Sequence, residues 1–176
     1  VRIPDDCISA HANQARIHQF PLNDKENCLY SPDVISFARE KGYFSGLNKD
    51  FSFANAYAPL DFGARRYCEA RVWSFYNMFT DRGEEFLPYI LGSTDKPMPL
   101  YVKAKKRISV QEIQQAMRDH YEGTPLDLSQ DFGAGINHSP YRLSPLSFTV
   151  DGEEYFNERP ISTQQTGWVI VAQMRE

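Results

Sequence analysis

Apolar positions fall in short runs separated by Gly, Pro and Asn, and the runs switch between the two-residue period of strands and the three- to four-residue period of helices. Residues 7–12 (Cys-Ile-Ser-Ala-His-Ala) read as a strand of small side chains that another layer can approach closely, with Asn13 and Gln14 at or just beyond its end. Ser31-Pro32-Asp33 opens a short helix, with Ser31 as cap, Val34, Ile35 and Ala38 on the core face and Gly42 as the stop. Residues 51–60 mix aromatic with small side chains and run into Pro59, which predicts an irregular connection. Asp61 caps a longer helix reaching about Thr80, in which Ala64, Cys68, Val72, Phe75 and Phe79 form the apolar stripe and Tyr67 and Tyr76 widen it. Arg65, Arg66, Glu69 and Asn77 then take the opposite, solvated side.

After a Pro-rich loop, Leu100-Tyr101-Val102 leads to Lys103, Lys105, Lys106 and Arg107, a pattern of a strand edge protected by solvated charge. Ser109-Val110-Gln111-Glu112 is a capping box, followed by a helix with Val110, Ile113, Met117 and Tyr121 inward and Gly123 and Pro125 as terminators. Asp151-Gly152 between two apolar runs predicts a tight hairpin. Residues 166–174 read as a strand apolar on both faces. Strands and helices mix without a βαβ rhythm, so the predicted class is α+β.

Composition narrows the choice of function. With 176 residues, 41% hydrophobic and 24% charged, the chain suits one globular domain with a sizeable core. No apolar run approaches the roughly 20 residues of a membrane-spanning helix. A net charge of −4 supplies no basic field for a nucleic-acid backbone. Cys7, Cys28 and Cys68 are odd in number, widely spaced and without CxxC, which predicts three free thiols and no zinc knuckle. Val1-Arg2-Ile3-Pro4 carries neither an initiator Met nor a signal region, and only Arg175 and Glu176 follow the last apolar run. Both ends therefore read as cut, as in the interior of a longer chain.

Candidate chemistry is sparse. Gly42-Tyr43-Phe44-Ser45-Gly46 places its serine one position late for a nucleophile elbow. Four residues of straight strand would put Cys7 and His11 roughly 13 Å apart, too far for a thiol–imidazole pair. Asp119, His120 and Glu122 cluster where the third helix is expected to end, with His120 either a general base or metal ligand or simply placed by the helix dipole. Asn137-His138-Ser139 matches a glycosylation sequon. Arg142, in a loop shaped by proline, either holds a substrate carboxylate bidentately or ties the loop down.

Six motifs in order, Arg2-Ile3-Pro4-Asp5-Asp6, Ala12-Asn13-Gln14-Ala15-Arg16-Ile17, Tyr30-Ser31-Pro32-Asp33, Met117 to Pro125, Ser139-Pro140-Tyr141-Arg142 and Glu158-Arg159-Pro160-Ile161-Ser162, span most of the chain. In this set the chain resembles the interior of the microbial cysteine dipeptidases related to dipeptidase A, within the N-terminal-nucleophile hydrolases. The resemblance implies part of a four-layer αββα sandwich, with residues 1–176 as a single domain or the central fragment of a larger dipeptidase domain. It also implies hydrolysis of short peptides by an N-terminal cysteine that lies outside this chain, so that the isolated chain is expected to be inactive. No metal and no organic cofactor are expected. The implied partner is a dipeptide or short peptide, with no nucleic acid and no membrane span, and a homo-oligomer is left open. By the same resemblance Asn13 is a candidate oxyanion donor, while its residue type alone also suits a turn. The alternative reading is a noncatalytic binding or structural module on the same fold. Compartment and substrate preference are not legible.

Overall fold

A computed structural model describes residues 1–131, 133–141, 147–156 and 158–174, with the side chains of residues 147, 148 and 154–156 left aside. The order of elements is β1 (Cys7–Ile8), α1 (Val34–Glu40), a 3-10 turn (Asn48–Asp50), α2 (Phe53–Tyr57) and α3 (Phe62–Ala64). A π-helical turn (Arg65–Glu69) joins α3 to α4 (Ala70–Phe79); α5 (Gly83–Ile90), β2 (Val102–Lys103), α6 (Val110–Ala116), a 3-10 turn (Ile136–His138), β3 (Ser147–Val150) and β4 (Glu153–Phe156) follow. Among the described residues the helices thus combine with two small antiparallel sheets, β1–β2 and β3–β4, an arrangement compatible with α+β.

The elements that matched expectation carry strong local signals. Asp61 caps α3 by accepting from the Ala64 amide at 2.6 Å. Ser109 and Glu112 form the reciprocal capping box of α6. Asp151 (φ +51°) and Gly152 (φ +88°) supply the left-handed pair that a tight hairpin between β3 and β4 requires. Gly42 (φ +74°) stops α1: its amide reaches Arg39 O and that of Tyr43 reaches Ala38 O.

Other expectations are corrected. β1 has two residues instead of six, because past Ile8 the chain exchanges its ladder for side-chain contacts, Ser9 Oγ donating to Leu100 O at 2.6 Å. α1 starts at Val34 with Asp33 as the capping position, since Ser31–Val34 closes a turn of its own and the Ser31 hydroxyl donates to the Asp33 carboxylate. Residues 51–60 contain α2, whose cap Ser52 accepts from Asn55 N. Glu69 turns inward: it precedes Val72, Trp73 and Tyr76 by three, four and seven residues and so shares their buried face, where the Arg16 guanidinium pairs with its carboxylate. α6 ends at Ala116, so Asp119, His120 and Glu122 lie beyond it. Residues 167–174 form no strand: no other strand among the described residues runs alongside, and Trp168 and Ile170 are 77% and 72% exposed.

Two apolar clusters result. The larger joins α4, α5 and β2 through Trp73, Tyr76, Phe86, Ile90 and Val102, with Tyr121 and Leu128 packed in from the loop after α6. The smaller gathers Phe51 and the α2 aromatics against Ile35 and Ala38 of α1. Trp73 Nε1 donates to Gly83 O at 2.8 Å, tying α4 to the start of α5. No described helix is long and apolar enough to cross a membrane.

Candidate functional site

Asn13 stands exposed where the chain turns away from β1, with φ +64°, a left-handed conformation that Asn accepts more readily than bulkier residues. Arg71, at the start of α4, reaches back to it. Arg71 Nη2 donates to Asn13 Oδ1 at 2.9 Å and to Ala12 O at 3.2 Å, while Nε donates to Tyr67 O at 3.1 Å. A guanidinium has donors only, so the carboxamide must turn its oxygen toward Arg71 and its NH2 group away. Among the described residues no acceptor engages that NH2 group. The two readings of Asn13 therefore describe different atoms: the backbone makes a turn, and the side chain presents a neutral double donor suited to a developing oxyanion.

The loop carrying Asn13 is anchored from beneath. Arg16 is 5% exposed and pairs with Glu69 at 2.9 Å. Its remaining donors reach Tyr76 Oη at 3.1 Å and the carbonyls of Ala10, Met98 and Pro99 at 3.2, 3.3 and 3.0 Å. One buried guanidinium thus joins residues 10–16 to the π turn, to α4 and to the segment before β2.

A second cluster lies past α6. Tyr121 is fully buried with φ +66°, a costly conformation for a bulky residue, and its hydroxyl donates to Arg159 O at 2.6 Å. Asp119, 8% exposed, accepts from Ser74 Oγ of α4 at 2.7 Å. Burial pushes its carboxyl up to about 6, against the pull of the Ser74 hydrogen bond. His120 is buried, with Nδ1 3.0 Å from Glu122 Oε1, Nε2 without a hydrogen-bond partner among the described residues, and the ring edge-on to Tyr141 at 4.9 Å. Its placement comes from these contacts and not from a helix dipole, since α6 has already ended. His138 and Asn137 lie in a separate 3-10 turn, with His138 Nδ1 3.1 Å from Ser129 O.

Arg142 lies outside the described residues. Its neighbour Tyr141 lines an open groove of about 570 Å³ together with Gln114, Met117, Arg118, Ser162 and Val169. All three cysteines are free thiols. Burial and the adjacent Asp6 carboxylate raise the pKa of Cys7, and burial raises that of Cys68 against the influence of Arg71. Neither is an activated thiolate, and Cys28 is 5% exposed. No group of three or more His, Cys, Asp or Glu side chains among the described residues is placed to hold a metal ion.

The partners that give this region its shape were not singled out from sequence. In the sequence pattern Arg71 and Ser74 are ordinary helix residues, and Glu69 falls on the solvated side. Asn13 and Arg16 share one motif, Ala12-Asn13-Gln14-Ala15-Arg16, which carries part of the family resemblance.

Comparison with known proteins gives a consistent result. A probable dipeptidase of Salmonella dublin is 30% identical over 168 residues, which cover 95% of this chain and 36% of that protein. Dipeptidase A of Lactobacillus helveticus is 25% identical over 173 residues, covering 96% and 34%, and a probable dipeptidase of Latilactobacillus sakei is 23% identical over 170 residues, covering 96% and 34%. The chain spans about a third of the length of these curated relatives. Residues 1–176 match peptidase family C69 from end to end, and the chain belongs to that family.

Proposed function

We propose that this chain forms the interior of a cysteine-type dipeptidase, within a four-layer αββα sandwich, and that its Asn13 serves the hydrolysis of short peptides. The observation that carries the reading is the Asn13 carboxamide, turned by Arg71 so that its NH2 group is free to donate. The nucleophile in this reading is an N-terminal cysteine outside residues 1–176, a placement supported by Cys7 and Cys68 being held away from the thiolate. Its α-amino group, with an ordinary pKa of about 7.7–8.0, takes the thiol proton as sulfur attacks the peptide carbonyl carbon. The carbonyl oxygen gains the negative charge, and Asn13 Nδ2 donates to it. Collapse returns the proton to the leaving amine and leaves a thioester, which water cleaves to the second product and the free thiol. Arg142 holds the substrate carboxylate.

The test uses the full-length enzyme and a set of dipeptides. Asn13→Ala is expected to lower kcat by roughly 10²–10³ with little change in melting temperature, the cost of removing one oxyanion donor. Near-normal kcat in folded Asn13→Ala protein removes Asn13 from the reaction. Arg142→Lys is expected to raise KM for dipeptides but not for dipeptide amides, whose C-terminus carries no charge. The 176-residue chain alone is expected to turn over no dipeptide.

A further inference from the structure

We infer that Arg71 is the positioning residue of the oxyanion donor: its guanidinium fixes the rotation of the Asn13 carboxamide and polarises it, without touching substrate. The inference rests on the reading of Asn13 given above and adds the group that makes that donor effective.

The geometry is a three-point clamp. Arg71 spends Nε on Tyr67 O, within its own helix, and this bond together with the Tyr67 ring 6.0 Å away holds the guanidinium plane in place. The far nitrogen, Nη2, bridges Ala12 O and Asn13 Oδ1 at 3.2 and 2.9 Å. One nitrogen thus binds the backbone just before the Asn13 side chain and the side-chain oxygen itself, which leaves the carboxamide a single orientation. Among the described residues no carboxylate pairs with Arg71; besides these oxygens its guanidinium also acts on the neighbouring Cys68 thiol. A cation on the carbonyl oxygen of an amide draws electron density from the nitrogen and makes its N–H groups better donors.

A purely structural role does not account for the pattern. Asn13 is exposed, and a hydrogen bond at that position contributes little to stability. The backbone of residues 10–16 already has a buried anchor in Arg16, which pairs with Glu69 and with the backbone carbonyls of Ala10, Met98, Pro99 and Leu100. The Arg71–Asn13 bond fixes only what Arg16 leaves free, the rotation of the Asn13 side chain. The two residues are 58 positions apart, so the bond exists only in the folded chain.

The experiment is a double-mutant cycle on the full-length enzyme with Arg71→Met, Asn13→Ala and the double variant, reading kcat, KM and melting temperature. Arg71→Met is expected to lower kcat by about tenfold or more with KM within about twofold, and to cause no further loss in the Asn13→Ala background. Wild-type kcat in Arg71→Met, or the same fractional loss in both backgrounds, overturns the inference. Normal kcat in Asn13→Ala overturns the reading beneath it and is recognised separately, because that variant leaves Arg71 intact. Arg71→Lys keeps the charge and the stem but cannot hold all three oxygens at once. It covers the case in which Arg71→Met does not fold: a kcat loss that vanishes in the Asn13→Ala background supports the inference, and a loss that persists there overturns it.

Discussion

Asp119→Asn is expected to change how the stability of this protein depends on pH. In the folded chain the carboxyl is 8% exposed and its pKa stands at about 6, against an ordinary 3.8. At about 1.4 kcal/mol per pH unit, that difference amounts to about 3 kcal/mol. The sign follows from proton binding. Below about pH 4 Asp119 is protonated in both the folded and unfolded chain, and burial of the neutral acid carries no charge penalty. Between about pH 4 and 6 the unfolded chain loses the proton while the folded chain keeps it, so this group's contribution to stability falls as pH rises, and it is lost above about pH 6. Asn does not titrate, and its carboxamide oxygen can still accept from Ser74 Oγ. Glu122, whose charge raises the Asp119 pKa, and His120, which lowers it, both remain in the variant. Urea unfolding of the two proteins side by side, from about pH 4 to 7.5, reads the difference. The stability of the variant relative to the parent is expected to rise by up to about 3 kcal/mol across that range and then level off. Stability curves that run parallel from pH 4 to 7 would refute the reasoning, because they would mean that Asp119 titrates as if exposed.

Two further predictions concern the frame that carries Asn13 and the join of α4 to α5. Glu69→Ala leaves the Arg16 guanidinium buried without its carboxylate, and urea unfolding should show a loss of about 3–5 kcal/mol; a loss under about 1 kcal/mol would mean that the carbonyls and Tyr76 suffice to hold it. Gly83→Ala should destabilise by about 1–3 kcal/mol in thermal melts despite the better helix propensity of Ala, because the new Cβ would sit 1.9 Å from Asn77 Oδ1, which can swing away, and 2.8 Å from Asn77 Cα, which cannot.

What could be read from the sequence is what neighbouring residues decide among themselves. The Asp61 cap, the Ser109–Glu112 box and the Asp151-Gly152 turn each close within four residues, and each stands in the structure. The path after α6 departs from the sequence pattern, in which the spacing of Val110, Ile113, Met117 and Tyr121 fits a longer helix than the one that ends at Ala116. The cost of a left-handed Tyr121 is instead met by burial and by its bond to Arg159, 38 residues away. Helix α5 holds Pro88, a residue that argues against a helix locally, and its buried Phe86 and Ile90 are placed by packing against α4. Residues 167–174 have the composition of a strand, but strand structure depends on a neighbour as well as on composition. Asn13 could be singled out as a candidate because it belongs to a motif. Its partner Arg71 could not, since nothing in the local pattern of a helix tells which distant oxygens an arginine will meet.

The π turn at Arg65–Glu69 makes chain length, as well as residue identity, a determinant of this fold. Each residue advances an α-helix by about 100°, so removing one from that turn would leave a regular helix whose two halves are out of phase with their present partners. With α4 kept in the core, the Asp61 cap and the Arg65 contact with Asp95 would point elsewhere; with those kept, Arg71 would swing away from Ala12 and Asn13. The helix therefore acts as a fixed phase shifter between the surface that meets residues 89–95 and the surface that meets Asn13. Substitutions along it can be judged one position at a time, whereas a single-residue deletion would act on both surfaces at once.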